Sequence, residues 1–454
     1  MGIDWRHGRT SGERPNNVVD WGDPNVSIAA VRKLESHTCN PSFERKTRIW
    51  SARIQVLMSS LKDSPIGSTV VISGYDHRFG VEYEVDAYIP DPLPDDVELS
   101  SSAWNHIGDA MAELGRLDAA SARLPNPSLV TRVATRLEAV GTSALEGTYA
   151  NLTEVFAAET SPGEPDIEEL PSRVREVLNY VWTAELAYAS IVESPLTRGL
   201  LSTLQRELVK ATDSDGPQAG DVRTSQVFIG PKDRPITEAR FVPSPPGDQL
   251  EAAYDQWFDW VRDDKDPNDL QSLVRVAMAH YQFETIHPYH DGNGRLGRLA
   301  AVLQLMRERV LSVPVLSISP RLEERKDDYR DHLLNLSVTG EWEPWIEFFV
   351  EAVHVESERS RGRIDRLLAL QEEMSEGVRE RLPRGRLAVD VIDGIIEFPV
   401  VTVADVERRY GISNQAARNA VNRLVEEGFL EYLDEVAYGR RFWSPRVFQV
   451  IGQS

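Results

Sequence analysis

Apolar residues recur at intervals of three and four positions through the middle of the chain. One such run consists of Leu270, Leu273, Val274, Ala277 and Met278. This spacing places apolar side chains on one face of an α-helix. The pattern extends from about residue 103 to residue 354 and predicts a mainly α-helical domain.

Two stretches follow the period of a β-strand instead. Apolar and polar residues alternate over 81–89, after a short apolar run at 69–72 and a polar turn at 76–80. This order predicts a β-hairpin. A second hairpin is predicted as an insertion on the helical body, running from Val227, Phe228 and Ile229 to Phe241 and bounded by Gly-Pro and Val-Pro pairs.

Breaks in these patterns divide the chain into segments. Asn40 and Pro41 precede a helical pattern, and three prolines within residues 89–96 predict a stiff linker. The predicted segments are a small α+β region at 1–95, the helical domain at 96–355, a charged connecting helix at 356–383 and a last domain at 384–454.

The last domain has the order helix, turn, helix and two strands. Helices are predicted at 403–410 and 415–427 and strands at 429–433 and 441–443, which resembles a winged helix-turn-helix. Candidate DNA contacts are Arg418, Asn422, Arg423, Arg440 and Arg441. Because arginines and acidic residues are equally numerous after residue 400, a protein-interaction or dimerisation module is the alternative.

The net charge of the chain argues against some classes of function. The chain has 454 residues with 50 basic and 72 acidic side chains, a formal net charge of −22, which argues against a surface built to coat nucleic acid or anionic membrane. A single cysteine, Cys39, excludes an intrachain disulfide. The polar N-terminus and the lack of an 18-residue apolar stretch predict a cytoplasmic protein without a membrane span.

The residues that indicate chemistry are the run HPYHDGNGRLGR at 287–298. Gly292 and Gly294 permit unusual backbone conformations, so that their amides and that of Asn293 can form an anion-binding nest. A helix predicted over 295–309 adds its positive N-terminal end, and Arg295 and Arg298 lie one turn apart on it. A polyphosphate suits this combination.

Two further side chains in the run suit displacement at phosphorus. Asp291 is a carboxylate beside the nest, and Mg²⁺ is commonly held by one or two carboxylates together with substrate phosphates. His287 can accept a proton near neutral pH. The alternative is a structural helix start with solvated arginines, which accounts poorly for so many specified positions.

The run resembles the signature of the Fic family of adenylyltransferases, His-x-Phe-x-Asp/Glu-Gly-Asn-Gly-Arg-x-x-Arg. The departure is Tyr289 at the usual Phe, whose buried hydroxyl needs a partner. The resemblance extends from about residue 75 to residue 356. It implies a Fic-type helical bundle in which the 227–241 hairpin is a flap that aligns the target segment as an added strand.

The resemblance also implies an activity. His287 would deprotonate a Ser, Thr or Tyr hydroxyl of a target protein, which attacks the α-phosphate of ATP and displaces pyrophosphate. Asp291 would hold Mg²⁺, and Asn293 with the nest amides would hold the α-phosphate region. Arg295 and Arg298 would bind the β- and γ-phosphates.

A second segment, Thr142-Ser-Ala-Leu-Glu146-Gly147, matches the inhibitory motif of that family. On its own it could be a helix terminus with a C-cap glycine. Within the family it implies that Glu146 pairs with Arg298 and holds ATP in an unproductive pose.

Other functions remain open at this point. The same site could remove AMP from a modified protein or use another nucleotide. In a different class, the chain could be a transcriptional regulator in which the Fic domain senses a nucleotide. The target protein is not identified and could be the chain itself, and a homodimer is the expectation from base rates alone.

Overall fold

The computed structural model describes residues 61–452 except 125, 161–166, 192–194, 232, 263–270 and 435–438. All of these described residues fall within one compact unit, Leu57–Ser454. The helix predicted after Asn40 and the single cysteine lie outside the described residues. No helix among those described combines the length and the apolar character needed to cross a lipid bilayer.

The first hairpin is confirmed. Strands β1 (Gly67–Asp76) and β2 (Val81–Pro90) pair antiparallel with Gly67 opposite Pro90. A 3₁₀ turn at Leu61–Asp63 precedes them. The hairpin is buried on both faces near the end of β2, where Tyr88 lies in a cluster with Phe241 and Leu334, and Ala87 in another with Ile236 and Val242. Such packing is expected for a two-stranded unit, which is not stable in isolation.

The helical body confirms the mainly α prediction. Its helices are α1 (Ser101–Ala122), α2 (Ser128–Leu145), α3 (Leu152–Glu159), α4 (Ser172–Ile191), α5 (Arg198–Leu208), α6 (Asp248–Arg262), α7 (Gln271–Ile286), α8 (Asn293–Arg307), α9 (Ser319–Glu324) and α10 (Lys326–Thr339). Residues 272–286 of α7 and 293–305 of α8 are buried without exception. These two helices therefore form the centre of the body, as a helix enclosed on all sides does.

A single long helix connects the body to the C-terminal domain. Helix α11 (Trp342–Arg381) has 40 residues, so the separate connecting helix predicted from residue 356 is the second half of a helix that begins in the body. Its first half packs against α1 and its second half against the C-terminal domain. One apolar cluster continues from Ile107 on α1 to Ile451 near the C-terminus.

The C-terminal domain contains the predicted elements. They are α12 (Arg386–Asp393), β3 (Val400–Thr402), α13 (Val403–Tyr410), α14 (Asn414–Glu426), β4 (Glu431–Tyr432), β5 (Arg441–Trp443) and α15 (Pro445–Gly452). The strands form one sheet in the order β3-β5-β4. A capping box between Thr402 and Asp405 starts α13, and the Ser413 side chain caps α14. The assignment to the winged-helix fold stays a prediction.

This domain is docked against the part of the body that contains α2 and α3. Glu397 accepts a hydrogen bond from the Ser128 hydroxyl at the start of α2, at 2.8 Å. Phe448 of α15 meets Phe156 of α3 edge to face, with ring centroids 5.7 Å apart. Arg441 donates to the carbonyl of Ala157 at 3.1 Å. The C-terminal domain is therefore not an independent module joined by a flexible tether.

The second predicted hairpin is present only as a single antiparallel bridge. Between Val227 and Phe241 the backbone forms one antiparallel bridge, Ile229 with Phe241, and a 3₁₀ turn at Ile236–Glu238. Prolines 231, 235 and 243 provide no amide for a longer ladder. Directly after Phe241, the chain is joined to the first hairpin by a hydrogen bond from the Tyr88 amide to the Val242 carbonyl, at 2.9 Å.

The contact between α2 and α9 allows a test of the packing. A Cβ on Gly141 would lie 2.8 Å from the backbone nitrogen of Pro320. We expect Gly141→Ala to lower the free energy of unfolding by about 1–3 kcal/mol, because backbone cannot move aside as a flexible side chain can. Chemical denaturation measures this change.

The matched control is Gly108→Ala on α1, where a Cβ would meet nothing within 4 Å. It should raise the stability by about 0.5–1 kcal/mol through helix propensity. Equal effects of the two substitutions would show that α2 and α9 are not packed as described.

Candidate active site

The loop between α7 and α8 turns at two residues with positive φ. His287 has a φ of 51°, and Gly292, the N-cap of α8, has a φ of 83°. This conformation suits glycine but strains a residue that has a Cβ. Helix α8 begins at Asn293, two residues before the predicted start, so its first amides and its dipole favour an anion at this end of the loop.

Asn293 has a different task from the one predicted for its side chain. Its Oδ1 accepts a hydrogen bond from the Tyr289 amide at 2.9 Å, and its Nδ2 donates to the Tyr289 carbonyl at 2.8 Å. The side chain is buried and closes the loop. What Asn293 can offer to a phosphate is therefore its backbone amide.

Gly294 is required for space rather than for backbone freedom. It lies within α8 and has helical geometry, contrary to the prediction of an unusual conformation. A Cβ at this position would overlap the Glu146 carboxylate and lie 3.0 Å from Nη1 of Arg298. Its missing side chain leaves room for the charged groups beside it.

Arg298 is held by the second predicted motif. Its Nη2 donates to Glu146 Oε1 at 2.6 Å, and its Nε donates to the Thr142 hydroxyl at 2.7 Å. Nη2 also lies 3.2 Å from the Thr142 carbonyl oxygen. Thr142 lies on α2, Glu146 is its C-cap and Gly147 follows with a φ of 94°. The tertiary structure thus brings together two motifs about 150 positions apart.

The charges of this pair are stable over a wide pH range. Burial acts to raise the pKa of Glu146, but the Arg298 guanidinium outweighs it and the pKa lies below its usual value. Burial acts to lower the pKa of Arg298, but the Glu146 carboxylate raises it by more. Arg298 is 2% exposed, whereas the Glu146 side chain retains 42% exposure. The Glu146 side chain is therefore accessible to solvent, whereas that of Arg298 is not.

Arg295 lies one turn before Arg298 and is incompletely satisfied. The residue is buried, and among the described residues its Nε and Nη1 have no hydrogen-bond partner. Its nearest carboxylates are those of Asp291 at 3.5 Å and Glu176 at 4.0 Å. Buried guanidinium donors without acceptors are rare in folded proteins, so this arginine indicates a place for an anionic ligand.

His287 lies at the end of α7 with a depressed basicity. Burial is the largest influence and the nearby Arg223 guanidinium the next, and together they lower the pKa of His287 to about 4. Its Nδ1 lies 3.3 Å from the Glu284 carbonyl oxygen. With that nitrogen donating to the carbonyl, Nε2 is the atom available to accept a proton.

Asp291 is oriented by its neighbours. Its Oδ2 accepts from the Ser214 hydroxyl at 2.7 Å, and its Oδ1 accepts from the Gly292 amide at 2.7 Å. Within the described ranges no group of three or more His, Cys, Asp or Glu side chains is arranged to hold a metal ion. A single oriented carboxylate fits a Mg²⁺ whose other ligands are phosphate oxygens and water.

Sequence reasoning missed a polar layer behind Arg298. Glu284 and His280 lie on α7, with Nε2 of His280 4.0 Å from Glu284 Oε1 and 2.8 Å from the Tyr329 hydroxyl. Burial raises the pKa of Glu284 to about 7 and lowers that of His280 to about 3. These are single polar residues on apolar helices, so periodicity could not distinguish them.

The predicted DNA contacts divide into two groups. Arg418, Asn422 and Arg423 are exposed on α14. Arg441 is half-buried, where it pairs with Asp434 at 2.6 Å and donates to α3, and the Arg440 guanidinium lies 4.8 Å from the Tyr432 ring centroid. The wing arginines are therefore already engaged within the protein.

Comparison with known proteins finds similarity over the helical body. Residues 104–189 match the family described as Fic/DOC family N-terminal, and residues 195–305 match the Fic/DOC family. A protein adenylyltransferase fic-1 from Caenorhabditis briggsae is 33% identical over 137 residues, covering 30% of this chain and 23% of that protein. A protein adenylyltransferase Fic from Nematostella vectensis is 34% identical over 131 residues, covering 29% and 26%. The chain thus spans about a quarter of the length of these relatives.

Solved structures with lower identity are also similar. A Fic family protein from Desulfovibrio desulfuricans is 20% identical with a TM-score of 0.48, covering 78% of this chain and 98% of that one. Fic-1 from C. elegans, residues 134–508, is 20% identical with a TM-score of 0.41, covering 57% and 73%.

The partner of the extra hydroxyl at Tyr289 can be tested. Tyr289 is fully buried, and its hydroxyl lies 2.8 Å from that of Tyr254. Tyr254→Phe and Tyr289→Phe should each leave a buried hydroxyl with one bond fewer. In a double-mutant cycle read by chemical denaturation, we expect the double variant to lose about 1 kcal/mol less than the sum of the single losses. Additive losses would show that the two hydroxyls do not interact.

Proposed function

We propose that this chain, which carries a Fic domain with its N-terminal region over residues 104–305, transfers AMP from ATP to a hydroxyl group of a protein. The observation that carries the proposal is that His287, in the loop between α7 and α8, is followed directly by the N-terminus of α8, whose first turn contains the buried, incompletely satisfied Arg295. Together they offer an anion site beside a base. The relatives named protein adenylyltransferase support AMP as the group transferred.

In the proposed reaction His287 accepts the proton of the target hydroxyl. The hydroxyl oxygen forms a bond to the α-phosphorus of ATP as the bond from that phosphorus to the bridging oxygen breaks, and pyrophosphate leaves with the electron pair. Without nucleotide the pKa of His287 is about 4. The negative charge of a bound polyphosphate raises it towards the range in which a general base is effective.

The chain's own residues stabilise the charge of the phosphates. The amides at the start of α8 and the Arg295 guanidinium are positioned for phosphate oxygens. Asp291 is the residue that would hold Mg²⁺, which when bound supplies positive charge to the leaving group. Arg298 becomes available to a phosphate only when its hydrogen bond to Glu146 is broken.

We propose that Glu146 keeps the site inactive. It accepts from a guanidinium that the terminal phosphate needs, and both cannot bind the same donors. Because a buried guanidinium requires an anionic partner, the glutamate and a phosphate compete for one position. Binding of ATP in a productive pose therefore requires the Glu146 side chain to turn away.

The proposal predicts that two substitutions change AMP transfer in opposite directions. Incubated with α-labelled ATP and Mg²⁺, the native protein should label itself or lysate proteins weakly. Glu146→Gly should increase the label at least about tenfold, since one lost charged contact of about 1.4 kcal/mol changes an equilibrium by that factor. His287→Ala in the Glu146→Gly background should abolish it.

The control is Glu207→Gly, which removes an exposed ion pair with Lys210 elsewhere and should leave labelling at the native level. Label that is unaffected by Glu146→Gly but lost in His287→Ala would contradict inhibition by Glu146. Absence of label from every variant would contradict AMP transfer and favour AMP removal or another nucleotide.

The ion pair between Glu146 and Arg298 should not itself titrate in the neutral range. The pKa of Glu146 is lowered and that of Arg298 is raised, so the ion pair is present above 4.5, the ordinary value for glutamate, and is lost only as the pH falls further. Because Glu284 behind Arg298 has a pKa of about 7, the ratio of Glu146→Gly to native transfer rates is measured in a Glu284→Gln background, where it should be constant from about pH 6 to about pH 9. A ratio that falls towards one within this range would show that another titrating group controls inhibition.

A further inference from the structure

Arg223 is a buried cation that the sequence analysis did not single out. It is 1% exposed. Burial lowers its pKa to about 10, and in the part of the chain that the structure describes no carboxylate pairs with it. Burying a charge without a counterion is costly unless its donors are well used. The hydrogen bonds that the Arg223 donors make must therefore offset this cost.

Every hydrogen bond that Arg223 makes in the structure is to a backbone carbonyl. Nε donates to the carbonyl of His287 at 2.8 Å, and the Arg223 amide donates to that of Pro288 at 2.9 Å. Nη1 reaches the carbonyl of Ser225 at 3.3 Å, and Nη2 donates to that of Ser244. The planar guanidinium carries its donors on three nitrogens and can reach three separated carbonyls at once, whereas the three donors of a lysine ammonium diverge from a single nitrogen.

These carbonyls belong to three different places around the site. His287 and Pro288 form the strained start of the catalytic loop, where His287 has its φ of 51°. Ser225 precedes the predicted flap segment and Ser244 follows it. Arg223 therefore fixes the backbone of His287 relative to both ends of the segment proposed to receive the target.

The guanidinium also acts on His287 through its charge. Of the groups that face His287, Arg223 is the one whose charge lowers the pKa of the imidazole, in addition to burial, while the Glu284 carbonyl and the carboxylates of Glu146 and Asp291 raise it. A cation here keeps the imidazole neutral and able to accept a proton.

We propose that Arg223 is a positioning residue for His287, joining the histidine's strained backbone to both ends of the flap segment. This role rests on the proposed function only for its effect on transfer. Its effect on the His287 ring can be measured without any reaction.

The experiment compares Arg223→Lys and Arg223→Gln, both in the Glu146→Gly background, with Arg275→Gln as the control. Arg275 is a similarly buried arginine that donates to the Trp260 carbonyl at 3.0 Å near the other end of α7. For each protein we would measure thermal stability, ATP binding by calorimetry, the AMP transfer rate, and the titration of the His287 ring by NMR, assigned with His287→Ala.

The lysine and glutamine variants separate geometry from charge. Both should reduce transfer about 10- to 100-fold through misplacement of His287, with ATP affinity within about threefold because the phosphate-binding groups are untouched. Arg223→Gln should also raise the pKa of His287 by about 1, whereas Arg223→Lys, which retains the charge, should leave it near the parent value. Arg275→Gln should change neither the transfer rate nor the pKa of His287.

Several results would overturn the proposal. Transfer by Arg223→Lys at the parent rate would exclude the geometric role, and a His287 that titrates near its ordinary value of 6.5 in the parent protein would exclude the electrostatic one. Should Arg223→Gln fail to fold, the lysine variant and the parent titration still decide. If no variant transfers AMP, the proposed function fails. The titrations of His287 then still decide whether Arg223 acts on its ring.

Discussion

The buried positive charge of Arg298 is the constraint on which the arrangement of this site depends. Its guanidinium is 2% exposed, and such a charge is tolerable only with anionic and polar partners close by. Glu146 and Thr142 meet this requirement, and Gly294 provides the room for it. An anionic ligand would meet the same requirement, which is the basis of the proposed competition between Glu146 and a phosphate.

The surrounding helices fix where the exchange can take place. Helix α2, which ends in Glu146, is anchored at its centre, where the buried Glu138 accepts from the amide of Ser319 at 2.9 Å. Two arginines of α2, Arg132 and Arg136, pair with Glu159 at the end of α3, and the C-terminal domain packs over both helices. With the helix held in this way, its C-cap places the Glu146 carboxylate beside Arg298.

Local patterns predicted a large part of this structure. Helical periodicity, a C-cap glycine and alternating strands depend on neighbouring residues, so the helices, the first hairpin and the elements of the C-terminal domain follow from the sequence. The 227–241 hairpin is shorter than predicted because its prolines limit the ladder to the bridge between Ile229 and Phe241. A short apolar run beside a turn residue does not reveal whether the opposite strand has amides to donate.

For the candidate site, the sequence by itself identified the residues of the two motifs as candidates, because the residue types and spacings around His287 and Glu146 are distinctive. It did not determine what several of them do. That Asn293 closes the loop follows from how the chain folds locally around Tyr289. That Gly294 makes space for the Glu146 carboxylate and that Arg223 binds the carbonyls of His287 and Ser244 are consequences of contacts between residues far apart in the chain. Only the tertiary structure decides such contacts, since the position of a buried charge is set by every helix that packs around it and not by its neighbours in sequence.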